Sequence, residues 1–283
     1  MATRNGFGDR LAAALKVRAP LCVGIDPSAQ LLARWGLSDD AAGVRAFGSA
    51  VLDAVDGLVA VVKPQSAFFE RHGSAGIAVL EQLCVEAQAR GLLVLLDAKR
   101  GDVGSTSDAY AQAYLQADSP LQIDAMTASA YLGVAALNPL FEAAQASGRG
   151  VFVVARSSNP EGEQIQSARP ASGRDVVAHV LDEVGKVNAN LPGERVGSIG
   201  VVFGATCETS DYDLHGFGGP ILAPGLGAQG ATVDDIAKRF AGYADRVLPS
   251  ASRSVLGAGP DVASMRAAAT ELATACRRAL SNE

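Results

Sequence analysis

Short apolar runs recur along the whole chain, each bounded by turn residues and separated from the next by sequence with helical spacing. The eight runs lie at residues 21–25, 59–62, 92–96, 123–126, 151–155, 199–203, 220–223 and 246–249. Such runs are typical of strands buried on both faces of a parallel sheet. Because the composition shows no linker-like change, the pattern predicts one α/β domain over residues 1–283, a (β/α)8 TIM barrel.

The connection after the sixth run is the weakest part of this pattern. Residues 205–219 are too short and too polar to predict a full helix there. An open, doubly wound parallel sheet is the alternative fold. That alternative lacks its usual signature, since no Gly-x-Gly-x-x-Gly motif follows the first run.

The third run leads into three charged residues, Asp97, Lys99 and Asp102. Because residues two apart on a strand point the same way, Asp97 and Lys99 are expected to share a face. Ser105 or Thr106 is expected to cap the helix that follows. A carboxylate and an ammonium at the end of an apolar strand are costly to desolvate, so they need partners or a function. An ion pair that merely closes the strand is the alternative, but Asp102 and the glycine-rich exit favour chemistry.

Two other strand ends carry charge, Asp26 after the first run and Lys63 after the second. In barrels of this type the working residues lie where strands end and the following loops begin. Alone, Asp26 would be interpreted as a turn residue before proline, and Lys63 as a side chain that reaches solvent. Together with Asp97 and Lys99 they predict alternating charges around one opening, where each charge keeps its neighbour ionised.

The ends of the seventh and eighth strands predict an anion site. Gly225, Gly227 and Gly230 allow close approach of backbone N–H groups, Gln229 adds a side-chain donor, and Arg253 follows the eighth strand. Loops after these two strands commonly bind phosphate in such barrels, and backbone amides with arginine suit a phosphate dianion. Ordinary tight turns and a surface ion pair remain the alternatives.

Composition excludes several classes of protein. A net charge of −6 argues against general nucleic-acid binding. The four cysteines are scattered and the three histidines isolated, so neither a metal site nor a disulfide framework is predicted. No signal peptide or membrane span is evident, and the chain is expected to be cytoplasmic.

An ordered set of motifs resembles one family. Residues 97–106, DAKRGDVGST, resemble the Asp-x-Lys-x-x-Asp signature of the orotidine 5'-monophosphate decarboxylases. Four further segments match in family order, with the arginine segment 252–254 after them: residues 24–27 (GIDP), 62–65 (VKPQ), 156–160 (RSSNP) and 223–230 (APGLGAQG). The set is most similar to the longer bacterial subgroup often found in actinobacteria.

The resemblance implies decarboxylation of orotidine 5'-monophosphate to uridine 5'-monophosphate and CO2 without cofactor or metal, the last step of pyrimidine nucleotide synthesis. Lys99 would protonate carbon 6 of the ring as CO2 leaves. Asp97 would lie against the departing carboxylate and, with Asp102, keep Lys99 protonated. Lys63 and Asp26 would complete the charged network and contact the ribose hydroxyls.

The resemblance also implies how the rest of the substrate is held. Asp102 and Thr106 would reach across a homodimer interface into the partner's site. Ser158 would bind the pyrimidine amide edge, with Ser157 as an adjacent competitor for that role. The phosphate would be held by a set of three residues: Gln229, Gly230 and Arg253.

Three other functions compete with this one. A metal-dependent hexulose-phosphate synthase shares the Asp-x-Lys-x-x-Asp core. A Schiff-base aldolase is disfavoured, because a lysine between carboxylates stays protonated rather than nucleophilic. A phosphate-ligand binding module without catalysis is disfavoured by the intact charged set.

Overall fold

Eight parallel strands close into a barrel in the computed structural model, with each strand paired to its sequence neighbours and the last to the first. The structure describes residues 5–169, 173–190, 196–209, 212–214, 216–227 and 230–280. The strands are β1 Ala19–Ile25, β2 Val59–Pro64, β3 Leu93–Arg100, β4 Ala125–Ser129, β5 Gly150–Arg156, β6 Ile199–Phe203, β7 Ile221–Pro224 and β8 Val247–Ala251. The predicted (β/α)8 barrel is therefore confirmed.

The helices surround this barrel. They are α1 Phe7–Val17, α2 Ala29–Arg34, α3 Ala41–Val55, α4 Ala67–Glu70, α5 Gly73–Ala89, α6 Gly104–Tyr114, α7 Asn138–Ser147, α8 Glu163–Gln166, α9 Val176–Ala189, α10 Val233–Arg239, α11 Arg253–Leu256 and α12 Val262–Leu280. The sequence did not predict the short helices α2, α4, α8, α10 and α11. No helix among the described residues is long and apolar enough to cross a membrane.

Two layers of apolar side chains form the core. The larger lies between the helices and the outer face of the barrel. The smaller fills the barrel interior with residues from all eight strands, among them Leu95, Phe152 and Val202. Phe7 and Leu11 of α1 join this inner layer, with the Phe7 ring edge-on to Phe152 at 5.8 Å between centroids. The amino-terminal end of the barrel is thus closed, and the opposite end is left for a site.

The connection between β6 and β7 contains no helix in its described residues 204–209, 212–214 and 216–220. Leu214 and Phe217 bury their side chains there instead. Asn188 of α9 fixes the connection, because its Nδ2 donates to the carbonyls of Ile199 and Phe217 at 2.8 Å each. Side-chain hydrogen bonds thus replace a helix that the polar sequence could not form.

The predicted cap of α6 is wrong. Ser105 and Thr106 lie inside the helix, and the residue at the N-cap position is Val103, which makes no side-chain cap. The helix begins early because Gly104, at φ +54°, turns the chain directly into it. Asp102 Oδ1 accepts the backbone N–H of Val103 at 2.8 Å, which satisfies a donor at this helix start.

Candidate active site

A cavity of about 650 Å³ opens at the carboxyl ends of the barrel strands. This volume suits a small organic ligand. Asp26, Lys63, Asp97 and Lys99 all line it, so the four charged strand ends predicted from the sequence do converge. Beneath them the floor is apolar, formed by the inward-facing residues Val154, Val202 and Leu222.

Asp97 stands between two lysines. Its Oδ2 accepts from Lys63 Nζ at 2.9 Å, and its Oδ1 accepts from Lys99 Nζ at 2.5 Å. The two ammoniums differ in access, since the Lys63 side chain is 8% exposed and that of Lys99 is 52% exposed. Lys63 is therefore a fixed buried charge, whereas Lys99 presents its ammonium to whatever fills the cavity.

The charges in this cluster hold one another ionised. Burial alone would lower the pKa of Lys63, but Asp97 and Asp26 outweigh it and raise that pKa above its ordinary value. Burial alone would raise the pKa of Asp97, but Lys63 and Lys99 hold it well below its usual range. Deeper in the barrel, burial raises the pKa of the Cys22 thiol to about 12. The thiol therefore stays neutral, and the ion pairs above it carry the local charge.

Asp26 contributes an unpaired oxygen. Its Oδ1 is buried and has no hydrogen-bond partner among the described residues. A Cβ atom on Gly24 would lie 1.9 Å from Ser252 Oγ and 3.1 Å from this same oxygen. Glycine is thus needed at position 24 for β1 and the loop after β8 to approach. A buried carboxylate oxygen without a donor is a candidate ligand-binding atom.

Strand β3 is irregular where it carries Lys99. Leu96 pairs with Met126 and Arg100 with Ala128, so three residues of β3 lie opposite the single residue Thr127 of β4. Lys99 adopts φ +48°, the one positive φ at a described residue other than glycine. The Thr127 hydroxyl donates to Asp97 Oδ1 and accepts the Lys99 N–H, both at 2.9 Å.

Polar residues after β5 form one wall of the cavity, including Ser157, Ser158 and Asn159. The Ser157 hydroxyl is engaged, donating to Asn159 Oδ1 at 2.6 Å and accepting from Gln166 Nε2 at 2.8 Å. Arg156 supports the same loop through Glu163 Oε2 at 2.6 Å. Both serines named by the sequence thus lie at the cavity, and the Ser157 hydroxyl holds the loop.

The glycine-rich segment after β7 is a turn closed by its own amides. Gly227 N–H donates to the Ala231 carbonyl at 2.8 Å and Gly230 N–H to the Gly227 carbonyl at 2.9 Å. The positive φ angles of Gly225, Gly227 and Gly230 make this turn possible. Gly230 does not line the cavity, whereas Gly225 does. The prediction for Gln229 lies outside the described residues.

Arginines lie at this same end of the cavity. Arg253, at the start of α11, is exposed and lines the cavity, and its guanidinium has no hydrogen-bond or ion-pair partner among the described residues. Arg34 of α2 also lines it and donates to the Gly257 carbonyl at 3.2 Å. The sequence singled out Arg253 but not Arg34, whose helix it did not predict.

Asp102 and Thr106 do not join the cavity of their own chain. Asp102 makes no ion pair with Lys99 in the described part of the structure, so within one chain it is not the flanking carboxylate that the sequence predicted. Thr106 is exposed on α6. Asp102 and Thr106 lie outside the cavity because the irregular end of β3 directs the Lys99 side chain toward Asp97, while the chain itself continues outward to α6.

One further residue of the site was not predicted from the sequence. Thr127, which directly follows the fourth apolar run, was not predicted as a site residue, and a polar side chain inside an apolar barrel was the available signal. Among the described residues, no three His, Cys, Asp or Glu side chains are grouped so as to hold a metal ion.

Comparison with known proteins agrees with this geometry. The model of the orotidine 5'-phosphate decarboxylase / HUMPS family matches residues 19–268. A Salinispora arenicola protein named orotidine 5'-phosphate decarboxylase is 54% identical over 276 residues, covering 98% of this chain and 99% of that protein. A crystal structure from Streptomyces avermitilis, assigned to the same activity, has a TM-score of 0.94 at 52% identity over 98% of this chain and 97% of that one. Leishmania donovani OMP decarboxylase has a TM-score of 0.78 at 29% identity, covering 97% of this chain and 98% of that one.

Proposed function

The chain belongs to the orotidine 5'-phosphate decarboxylase / HUMPS family, and we propose that it converts orotidine 5'-monophosphate to uridine 5'-monophosphate and CO2 as a step of pyrimidine nucleotide synthesis. The observation that carries this proposal is the difference between the two lysines on Asp97. Lys63 is buried and Lys99 is half exposed into the cavity. One ammonium is therefore buried against the carboxylate, while the other is paired with the same carboxylate and is accessible from the cavity.

Lys99 is the proposed general acid. When the bond between carbon 6 and the carboxylate breaks, its electron pair stays on carbon 6 and CO2 departs. The Lys99 ammonium stabilises that developing charge and gives its proton to carbon 6, which completes uridine 5'-monophosphate. The neutral amine then regains a proton from water, to which its 52% exposed side chain has access. No cofactor is required by this balance of atoms and charges.

Asp97 is proposed to hold Lys99 and to lie beside the departing carboxylate. Its depressed pKa keeps it ionised at neutral pH. A negative charge there repels the substrate carboxylate but not neutral CO2. The repulsion is therefore relieved as the reaction proceeds, which lowers the barrier relative to the bound substrate. Lys63 keeps this charge fixed from below at 2.9 Å.

The remaining groups are proposed to bind the ends of the nucleotide. The unpaired Asp26 Oδ1 can accept from a ribose hydroxyl. Ser158, which lines the cavity, is proposed to bind the pyrimidine amide edge, the role that the family resemblance implies for it. Arg253 is proposed to bind the phosphate, with Gln229 as a second donor.

A homodimer with shared sites is proposed to give Asp102 and Thr106 a role. Both lie outside their own cavity, on the loop and helix that follow β3. Large apolar side chains stand exposed beside them and on the neighbouring loop after β4, namely Val103 at 54%, Leu132 at 54% and Tyr131 at 78% exposed. Exposed apolar side chains grouped in this way are typical of an interaction surface.

A mixture of two inactive variants tests the shared site. We expect Lys99→Ala and Asp102→Ala subunits, each inactive alone, to regain about a quarter of wild-type activity after mixing, because a heterodimer contains one site with neither substitution. Subunit exchange is verified with differently tagged chains, and wild-type with Lys99→Ala serves as the control mixture. Verified exchange with no recovered activity would show that sites are not shared.

The function itself is tested with purified protein, orotidine 5'-monophosphate and EDTA. We expect the absorbance of the orotate ring to fall as uridine 5'-monophosphate and CO2 form, at the same rate with or without the chelator. Orotidine, which lacks the phosphate, is expected to react with a kcat/KM lower by at least about 10²-fold, because charge-assisted bonds to the phosphate are absent.

Arginine variants serve as controls in the same assay. Arg253→Ala is expected to slow the nucleotide but not orotidine, whereas Arg174→Ala, on a surface ion pair with Asp182, is expected to change neither. A folded protein that leaves the nucleotide unchanged would contradict the proposed function. Activity on a sugar phosphate that EDTA removes would instead indicate a metal-dependent aldol enzyme.

A further inference from the structure

A single side chain fills the irregularity of β3. Between the pairs Leu96–Met126 and Arg100–Ala128, β3 has three residues and β4 has only Thr127. The Lys99 N–H can find no carbonyl in a regular ladder there, and the Thr127 hydroxyl accepts it at 2.9 Å. The same hydroxyl donates to Asp97 Oδ1 at 2.9 Å, the oxygen that also accepts from Lys99 Nζ.

We propose that Thr127 is a positioning residue that fixes Lys99 from both ends, by its backbone N–H and through the carboxylate that holds its ammonium. The proposal rests on the proposed function, in which Lys99 is the proton donor. Thr127 is 1% exposed, so its hydroxyl is buried together with these two partners. Because the hydroxyl accepts one hydrogen bond and donates another, both contacts are made at once.

The backbone of Lys99 explains why such a support is needed. Lysine at φ +48° occupies the left-handed region, which residues with a Cβ rarely adopt without surrounding constraint. Rotation about φ moves the Lys99 side chain relative to its N–H, so with that N–H held by Thr127 a φ of +48° brings the ammonium to Asp97. The bond between them therefore selects the conformation that returns the side chain toward Asp97, and its loss frees Lys99 to relax.

Two substitutions separate the hydroxyl from the shape of the side chain. Thr127→Val keeps the volume and removes both hydrogen bonds, whereas Thr127→Ser keeps both bonds and removes a methyl group. Thr270→Val is the matched control, because Thr270 is exposed on α12 and its hydroxyl donates to the Arg266 carbonyl. For each variant, kcat, KM, the melting temperature and a crystal structure are measured.

We expect Thr127→Val to lower kcat by about 10–100-fold, the loss that follows from misplacing a reacting group by about 1 Å. KM should stay within about threefold, since the groups proposed to hold ribose and phosphate are untouched. Thr127→Ser should retain kcat within about threefold, and Thr270→Val should match wild type. In the Thr127→Val crystal structure, Lys99 φ should leave the left-handed region.

The opposite results would overturn the proposal. Lys99 kept near φ +48° in Thr127→Val would show that the hydroxyl does not hold it. Loss of kcat in Thr127→Ser equal to that in Thr127→Val would assign the effect to packing. Failure of the proposed function is seen separately, as a wild-type protein that does not turn over the nucleotide, while the crystal structures still decide whether Thr127 fixes Lys99.

Discussion

Lys99→Ala is expected to lower kcat for orotidine 5'-monophosphate by about 10⁴-fold or more. General acid catalysis contributes about 10²–10⁴-fold, and loss of one preorganised electrostatic donor costs about 10²–10³-fold. The variant should still fold, because Asp97 keeps its 2.9 Å ion pair with buried Lys63. Stopped-flow or single-turnover kinetics at saturating nucleotide measures the loss of kcat directly.

The control for this experiment is Lys238→Ala, an exposed lysine on α10. It removes the same charge from the chain and should leave kcat unchanged. A Lys99→Ala protein that keeps kcat within tenfold of wild type and shows wild-type melting would remove Lys99 from the chemistry, and the proton donor would have to be sought elsewhere in the cavity.

Asp97→Asn is expected to damage stability and activity together. Removing one partner of a buried ion pair strands the other charge, here Lys63 at 8% side-chain exposure, and should lower the free energy of unfolding by about 3 kcal/mol. Lys99 loses its acceptor at the same time, so kcat should fall by about 10²–10³-fold. Denaturant unfolding and steady-state kinetics measure the two effects.

The double variant Lys63→Met/Asp97→Asn separates the effect on stability from the effect on activity. With the stranded ammonium also removed, most of the lost unfolding free energy should return, since replacing a whole buried ion pair is often nearly neutral. Activity should not return. If stability stayed low in the double variant, the cost would lie in the hydrogen bonds to Asp97 rather than in the unpaired charge.

The difference in unfolding free energy between wild type and Asp97→Asn should depend on pH in a definite direction. Asp97 has a pKa below its usual range in the folded protein, so its contribution to stability is complete above the unfolded pKa of about 3.9. It is lost as the pH falls toward the folded value. The gap in unfolding free energy between wild type and Asp97→Asn should therefore be constant above about pH 5 and narrow below about pH 4.

The strands and their charged ends could be predicted from the sequence because both signals are local. A run such as residues 151–155 is apolar on both faces, and the residue after such a run must lie at the barrel opening. Asp26, Lys63, Asp97 and Lys99 could therefore be assigned to one cavity from the sequence. Shared location follows from topology alone.

Other parts of the site depend on contacts between distant segments. The bond between Thr127 and Lys99 joins two strands across a break in their register, which a single strand's alternation does not reveal. Gly230 belongs to a glycine-rich motif typical of anion sites, yet its N–H donates to the Gly227 carbonyl within the turn. Asp102 lies three residues after Lys99, and nothing in that spacing shows that the chain turns outward between them.

The break in β3 also limits how this charge pair could be transplanted. On a regular strand two residues span about 6.6 Å, which would place a lysine's Cα one layer above the carboxylate it follows. Here four residues of β3 advance by only two residues of β4, so Lys99 starts close to the level of Asp97. A designer who grafted the Asp-x-Lys tripeptide onto a regular strand of another barrel would copy the sequence but not the shortened advance of the chain that brings Lys99 level with Asp97. The transferable unit comprises two strands, the tripeptide with its extra backbone and the threonine that faces it.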